Sequence, residues 1–381
     1  MKLNDYINEK IDPLFQKGGK YEKLWSVYDS FHTFLFVPRH TAARKGVQVH
    51  DSVDSKRVII MVILAVIPAM LFGCWNVGYQ HDLALGINDG WFMQFLYGFG
   101  AFLPKVVVAY AVGLGIEMAV ACMKREEVAE GFLASGLLIP MIVPVETPLW
   151  MIAVATAFSV IFDKEIFGGT GMNIFNPALI ARAFLFFSYP TKMSGDTVWV
   201  ADDTIFGMGH QLADGTTSAT PLAAGVENLD VTNAVIGLIP GSIGETSVIA
   251  IALGAIILLW TGVASWKTMV SVFVGGAATA ALFHGLGMSD LCVCEHLVLG
   301  GFCFGAVFMA TDPVTSCRTE TGKYIYGFLI GAVAITVRVM NPGYPEGMML
   351  AILLMNMFAS TIDYYVVNAN INKRAKRANN K

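Results

Sequence analysis

The sequence predicts an all-α integral membrane protein of about ten transmembrane helices, and three observations carry that reading. Only 14% of the 381 residues are charged while 55% are hydrophobic, whereas an average soluble domain is about 25% charged. Apolar runs recur from RVIIMVILAVIPAMLFGCW at Arg57 to MMLAILLMNMFASTIDYYVV ending at Val367, and about 20 such residues in a helix cross about 30 Å of hydrocarbon. The basic residues are also one-sided, as they are when cytoplasmic loops collect them. With the N-terminus inside, 21 of the 25 Lys and Arg lie in inside segments. Lys192 lies outside, Arg338 at an outside boundary, and Lys105 and Arg182 in or near apolar segments.

Residues 1–56 read as a cytoplasmic N-terminal extension. Their start, MKLNDYINEKIDPLF, has neither the apolar region nor the small-residue cleavage site of a secretory signal. The apolar segments then fall at roughly 57–76, 102–123, 131–145, 148–163, 177–189, 247–263, 267–285, 295–311, 324–340 and 346–367, so that 57–367 forms one transmembrane domain. This alternation puts both termini in the cytoplasm. It puts the longest polar interval, 190–246, on the periplasmic face. Residues 368–381, with the run KRAKR, form a cytoplasmic basic tail at a membrane flank. That run is short and the net charge is −4, which argues against a nucleic-acid partner.

Several chemistries are excluded. The cysteines Cys74, Cys122, Cys292, Cys294, Cys303 and Cys317 lack the CxxC spacing of a zinc site or ferredoxin-type cluster. Apolar packing accounts for them, with one exception: Cys292 and Cys294 have the spacing to supply half of a cluster shared with another subunit. The seven histidines show no i, i+4 pair and no HExxH, and the chain has no P-loop and no nucleophile elbow. No β-α-β pattern surrounds the glycines of FGGTGMNIFNPAL, which removes a Rossmann reading.

What remains are polar residues in an apolar setting. The stretch DGTTSATPLAAG, Asp214 to Gly225, packs hydroxyls and small residues into the outer loop; it is either a solvated loop or a modification site. In GSIGET, Ser242 and Glu245 have the spacing of a capping box for the helix that follows. Backbone N–H groups there, including that of Gly244, also suit an anion. In FGGTGMNIFNPAL, Gly168, Gly169 and Gly171 permit an irregular backbone, which at membrane depth survives only where protein or a cavity covers it. Asn173 and Asn176 beside them both donate and accept hydrogen bonds. Asp29, Glu117, Asp312 and Asp363 stand out as acids in or near apolar segments. An Asp at a membrane-helix centre costs about 2.5–3.5 kcal/mol, so such groups are functional candidates, and their oxygens suit hard cations. Interfacial solvation competes with that reading for Asp29, Asp312 and Asp363.

The pattern Asp214-x-x-Thr217-x-Ala219-Thr220 resembles the D-x-x-[ST]-x-A-T signature at which a flavin transferase attaches FMN to a threonine through its phosphate. GGKYEKLWSVYDS, HDSVDSKRVIIMVILAVIPAMLFG, FGGTGMNIFNPALIARAFLFFSYP, SGDTVW, GSIGETS, ATDPVTS and DYYVVNANINKRAKR follow in an order that resembles the B subunits of bacterial sodium-translocating NADH:quinone oxidoreductases over nearly the whole chain. The related D subunits of Rnf complexes share the flavin-linked threonine and typically lack the long N-terminal extension.

The resemblance implies two inverted five-helix repeats, similar to urea-transporter-like folds, in the bacterial inner membrane. It implies covalent FMN on Thr220, with Asp214, Thr217, Ser242, Gly244 and Glu245 near it, and non-covalent riboflavin at Asn173, Asn176 and Asp312. It places quinone at Gly113 and Glu117, and sodium uptake at Asp29, Glu117, Asp312 and Asp363. Electrons from NADH, oxidised by sister subunits of a six-subunit assembly, would pass through both flavins to quinone while Na+ is exported. Flavin transferase and membrane lipid are the further partners. Three departures are visible: T-S-A-T where S-G-A-T is commonest, Gly113-Leu114-Gly115-Ile116-Glu117 where G-G-F-W-E is usual, and Asp29 where Glu is usual. Two other readings share parts of this pattern: the D subunit of an Rnf-type ferredoxin:NAD oxidoreductase, and a flavin-free urea-transporter-like channel, which has no use for an acceptor threonine.

Overall fold

The computed structural model describes residues 7, 10–16, 18–36, 45–46, 55–128, 131–194, 198–201, 205–211, 220, 222, 230–341 and 347–379. Its main helices are α1 (Trp25–Leu35), α2 (Ser55–Leu85), α3 (Trp91–Lys124), α4 (Phe132–Met141), α5 (Leu149–Ser159), α6 (Pro177–Ser188), α7 (Val248–Trp260), α8 (Trp266–Gly285), α9 (Val293–Val298), α10 (Glu320–Met340) and α11 (Met348–Asn379). Each of the ten apolar segments lies mainly on helix, and two of them, 131–145 and 295–311, are interrupted. Arg57–Leu85, α3, α8, α10 and α11 are long and apolar enough to cross a membrane, whereas α4, α6 and α7 are shorter apolar helices.

Local chemistry sets the helix starts. Asn176 caps α6 by accepting from the Ala178 N–H, with Pro177 at the first position. Ser247 caps α7 through Ala250, and Thr319 caps α10 through Gly322. Each supplies an oxygen to an N–H that has no intrahelical partner. Two boundaries differ from the sequence reading. α3 begins at Trp91 rather than near residue 102, because WFMQFLYGFGA is itself apolar and Pro104 is carried inside the helix. α11 runs without interruption to Asn379, so the basic tail is the exposed end of that helix.

Two helices are broken. α4 stops just after Pro140, and the chain passes through 142–148 into α5, whose end widens into a π-helical turn, Val160–Glu165. Likewise α9 gives way to an extended Leu299 and to Gly300 at φ +65°. Phe302–Phe304 and a second π-helical turn, Gly305–Met309, follow. The carbonyls freed at these breaks are taken up by buried cations. Lys105 donates to the carbonyls of Pro144 and Val145, and Arg338 donates to those of His296 (2.5 Å) and Leu299 (3.1 Å). Arg338 is therefore a buried helix brace rather than an outer boundary charge. The segment 239–247 tucks into the bundle in the same way: Asn76 donates to the Ile239 carbonyl (2.9 Å), and the Gly244 N–H donates to the carbonyl that ends α4, Met141 (2.8 Å).

Close helix contacts rest on glycine. A Cβ on Gly331 of α10 would lie 2.1 Å from the Val272 carbonyl of α8, and one on Gly98 of α3 would lie 1.8 Å from the Cys74 carbonyl of α2. Small residues that let backbones approach are how helices associate where lipid is as apolar as leucine. The buried strap 198–201 is tied to α2 by His81, whose Nδ1 lies 2.8 Å from the Ala201 carbonyl. The N-terminal α1 rests on α3, with Ser26 Oγ donating to the Ala121 carbonyl at 3.4 Å.

Gly331→Ala is expected to cost about 1–3 kcal/mol, the usual range for overpacking, because the added methyl meets backbone. Gly115→Ala, where a Cβ meets nothing within 4 Å, should be neutral or stabilise by up to about 1 kcal/mol from helix propensity. Unfolding of the two purified variants in detergent distinguishes them.

Candidate functional site

The broken segments bring two polar turns together. Asn176, at the end of the turn that follows the first π-helical segment, donates from Nδ2 to Asp312 Oδ2 at 3.2 Å. Asp312 begins the turn that follows the second, and its Oδ1 accepts from the Val314 N–H at 3.0 Å. The Oδ1 of Asn176 is held by the Ala178 N–H (3.0 Å). One amide therefore caps α6 and links turns that are 136 residues apart. Asn173 lies beside it, with its amide engaged inside its own turn by Gly171 N–H and the Phe175 carbonyl.

These residues line a cavity of about 300 Å³. Its walls are apolar, from Val58 and Val62 of α2, Leu138 of α4, Leu258 of α7 and Phe308. Its polar groups gather around Asn173, Asn176, Asp312 and Lys164. That combination, apolar walls with a few convergent polar groups, suits a small organic ligand, and the volume is at the lower end of the usual range of about 300–1,000 Å³. The three residues expected to hold riboflavin are thus on one cavity.

Lys164 was missed by the sequence reading, which counts it as a cytoplasmic loop charge. The π-helical turn continues α5 past Ser159 and carries Lys164 inward instead. Its ammonium forms an ion pair with Glu117 Oε1, and the two side chains are 3% and 2% exposed. The sequence signal was available in the burial of Glu117 within an apolar span, which required a cation somewhere. Gly113, one turn before Glu117, is packed against the Phe132 ring of α4, so its lack of a side chain serves a helix contact.

A second site surrounds Thr220. Thr220, Leu222, Ser242, Glu245, Thr246, Leu299 and Gly300 line a small cavity of about 20 Å³. Ser242 Oγ donates to Glu245 Oε2 at 2.5 Å, and Glu245 Oε1 accepts from Arg182 Nη1 at 2.5 Å. Both charged side chains are buried. The capping-box reading of Ser242 and Glu245 is therefore corrected: α7 starts at Val248 and is capped by Ser247, while Glu245 is drawn to the Arg182 charge. Gly244 is buried against Phe304 and Met141. Thr246 Oγ1, on the same cavity, is buried and has no hydrogen-bond partner among the described residues. Asp214 and Thr217 lie outside the described residues.

The two sites share supports. Asn176 caps α6 and Arg182 lies on it, six residues further on, about 9 Å along its axis at about 1.5 Å per residue. The second broken segment likewise leads from Leu299 and Gly300 on the Thr220 cavity to Phe308 and Asp312 on the larger one.

Two of the predicted acids stand apart. Asp363 of α11 accepts from the Arg318 N–H (2.7 Å), the Thr319 N–H (3.0 Å) and Thr319 Oγ1 (2.5 Å). It pins the start of α10, away from the cavity linings. Asp29 lies on α1 in the N-terminal region and is half-buried. Cys292 and Cys294 are exposed, while Cys74, Cys303 and Cys317 are buried.

The sequence pattern of the NQR2, RnfD, RnfE family matches residues 42–372. The chain is 43% identical to the B subunit of the Na(+)-translocating NADH-quinone reductase of Chromohalobacter salexigens, over 97% of this chain and 95% of that protein. To the B subunit of the same reductase from Ectopseudomonas mendocina it is 42% identical, and to that from Azotobacter vinelandii 41%, in each case over 97% of this chain and 98% of the relative.

Arg182→Met should destabilise the fold by about 3–5 kcal/mol, the usual result of stripping a buried charge of its partner. Adding Glu245→Leu to it should recover part of that loss. A double-mutant cycle on unfolding midpoints reads the coupling.

Proposed function

The chain belongs to the NQR2, RnfD, RnfE family, and on that premise we propose that it is the flavin-bearing electron carrier of a membrane-embedded, sodium-exporting NADH–quinone reductase. The convergence of Asn176 and Asp312 on one cavity, braced through α6 to the pocket that Thr220 lines, is the observation that carries this reading. The three relatives named above are all B subunits of NADH-quinone reductases, which favours that complex over an Rnf-type assembly.

The residues present fit both flavins. Asn176, Asp312 and Lys164 offer donors and acceptors to the polar edge of riboflavin, and Val58, Val62, Leu138 and Phe308 offer apolar faces to its rings. Thr220 supplies the hydroxyl for a phosphoester to FMN, and the unpartnered Thr246 hydroxyl is a donor for the phosphate. Room for the tether alone means that the rings of a group held there lie outside this pocket. When bound, the two groups supply one-electron acceptor and donor chemistry; sister subunits bring NADH oxidation. The chain itself would hold the two groups from residues braced on one helix, α6, and its apolar walls would exclude water from the larger cavity.

The remaining assignments complete the reading. Residues 1–56 and the end of α11 lie in the cytoplasm and 190–246 in the periplasm, where a flavin transferase reaches Thr220. Quinone is reduced near Gly113 and Glu117, and sodium passes by Asp29, Glu117, Asp312 and Asp363. The energetics permit the coupling. Moving one charge against about 150 mV costs about 3.5 kcal/mol, at about 2.3 kcal/mol per 100 mV. About 75 mV of two-electron potential supplies as much, at about 1.4 kcal/mol per 30 mV.

Intact-mass and flavin-extraction measurements on the complex, expressed with its transferase, test the proposal. Wild type should carry one phosphoester-linked flavin on this chain and release one non-covalent flavin on denaturation. Thr220→Ala should lose only the first, and Asn176→Ala combined with Asp312→Ala should lose at least nine-tenths of the second. A flavin-free wild-type chain refutes the assignment.

A further inference from the structure

Cys292 and Cys294 are the only exposed cysteines among the described residues; Cys74, Cys303 and Cys317 are buried and Cys122 is half-buried. The exposed two flank Val293, the first residue of α9, so that Cys292 is the N-cap and Cys294 the second helical residue. Cys292 takes part in a reciprocal cap. Its sulfur accepts from the Glu295 N–H, and the Glu295 carboxylate accepts from the Cys292 N–H at 2.7 Å. α9 has only six residues, so these two bonds, which satisfy donors that have no intrahelical partner, are a large share of what holds its first turn. Residues two apart at a helix start have Cα atoms about 5.4 Å apart, from about 1.5 Å of rise per residue and a radius of about 2.3 Å. A disulfide accepts about 4.4–6.8 Å, so the backbone allows the bond. The side chains at that spacing do not face each other, and the Cys292 sulfur is held by the Glu295 N–H. Bridging therefore requires Cys292 to leave its cap: a capped dithiol and an uncapped disulfide exclude one another.

We infer that Cys292 and Cys294 are a redox-active dithiol, oxidised to an intramolecular disulfide by exchange with a disulfide-bearing protein, and that this modification uncaps α9. The inference rests on the topology that sets 286–294 on the periplasmic face, where thiols meet an oxidising environment. The atoms balance. The Cys294 thiolate, which the cap does not engage, attacks one sulfur of the partner's disulfide; that S–S bond breaks and its other sulfur leaves as a thiolate. The Cys292 thiolate then attacks the Cys294 sulfur of the mixed disulfide, the Cys292–Cys294 bond forms, and the partner's second sulfur leaves. Two thiols have lost two electrons and two protons, and one disulfide has become two thiols. With the Cys292 sulfur withdrawn, the Glu295 N–H has no acceptor and the first turn of α9 frays. Arg338, bound to the carbonyls of His296 and Leu299, stops the fraying short of the pocket that Thr220, Leu299 and Gly300 line.

The test treats the assembled complex with oxidised glutathione and follows peptide masses and amide hydrogen exchange. In wild type the peptide that holds both cysteines should lose two hydrogens, and dithiothreitol should restore them. Oxidation should speed exchange in 293–297 at least tenfold and leave 302–309 unchanged. C292S keeps an oxygen at the cap, so it should assemble, trap glutathione on Cys294 as a stable mixed disulfide, and keep its slow exchange. A wild type that retains both thiols, that stops at a glutathione adduct, or that closes the disulfide with 293–297 still protected overturns the inference, and so does a C292S complex that frays as oxidised wild type does. A membrane-impermeant maleimide should block the reduced pair in right-side-out vesicles. Blocking in inverted vesicles alone overturns instead the topology beneath the inference, and blocking in neither overturns the accessibility on which the exchange depends.

Discussion

A helix that breaks inside an apolar bundle, away from water, has to satisfy its freed backbone groups with the protein's own atoms. Every feature of the functional region follows from meeting that demand twice, at 142–148 and at 299–301. Lys105 and Arg338 fill the sockets left by the broken ladders. The backbone of 239–247 is satisfied from α2 and from the end of α4. Breaking the helices is what frees the chain to make the polar turns at Asn176 and Asp312, and bracing the breaks is what keeps those turns in place.

Close packing converts these local solutions into fixed distances. Gly98 and Gly331 let backbone meet backbone between α2 and α3 and between α8 and α10, which leaves the pairs little freedom to slide. α6 is held at one end by the Asn176 cap and its link to Asp312, and one and a half turns later by Arg182 on Glu245. A short helix pinned at both points is a rigid spacer.

The helices were legible in the sequence because an apolar run favours a helix in lipid, and the ten runs lie mainly on helix; the interruptions inside 131–145 and 295–311 were not. The convergence of Asn173, Asn176 and Asp312 was legible only through the side of the membrane on which their turns fall and through the resemblance to a known family; nothing in the local sequence joins positions 176 and 312. Charge pairing was less legible still. Lys164 looks like a loop residue, since a span of ordinary α-helix would have ended before it, and the π-helical turn that carries it inward has no compositional mark. Ser242 and Glu245 have the spacing of a capping box, but the local rule lost to Arg182, a charge 63 residues away that needs a carboxylate more than a helix end needs a cap. Asp363 reads from the sequence only as an acid near a span; that its oxygens also hold the start of α10 is visible only in the fold.

The two buried ion pairs differ in a way that separates structure from mechanism. In the Arg182 and Glu245 pair, the second carboxylate oxygen is taken by Ser242, and a Cβ on Gly301 would lie 2.6 Å from Glu245 Oε1, so backbone closes on the group. Satisfied on both oxygens and boxed in, that pair has one arrangement. In the Lys164 and Glu117 pair, one oxygen has no partner among the described residues, and the cation borders open volume. A partly satisfied charge in a low dielectric is costly. The first pair fixes one packing of α6, and the second leaves a carboxylate oxygen unmet at the edge of the cavity, which is the costlier state in a low dielectric.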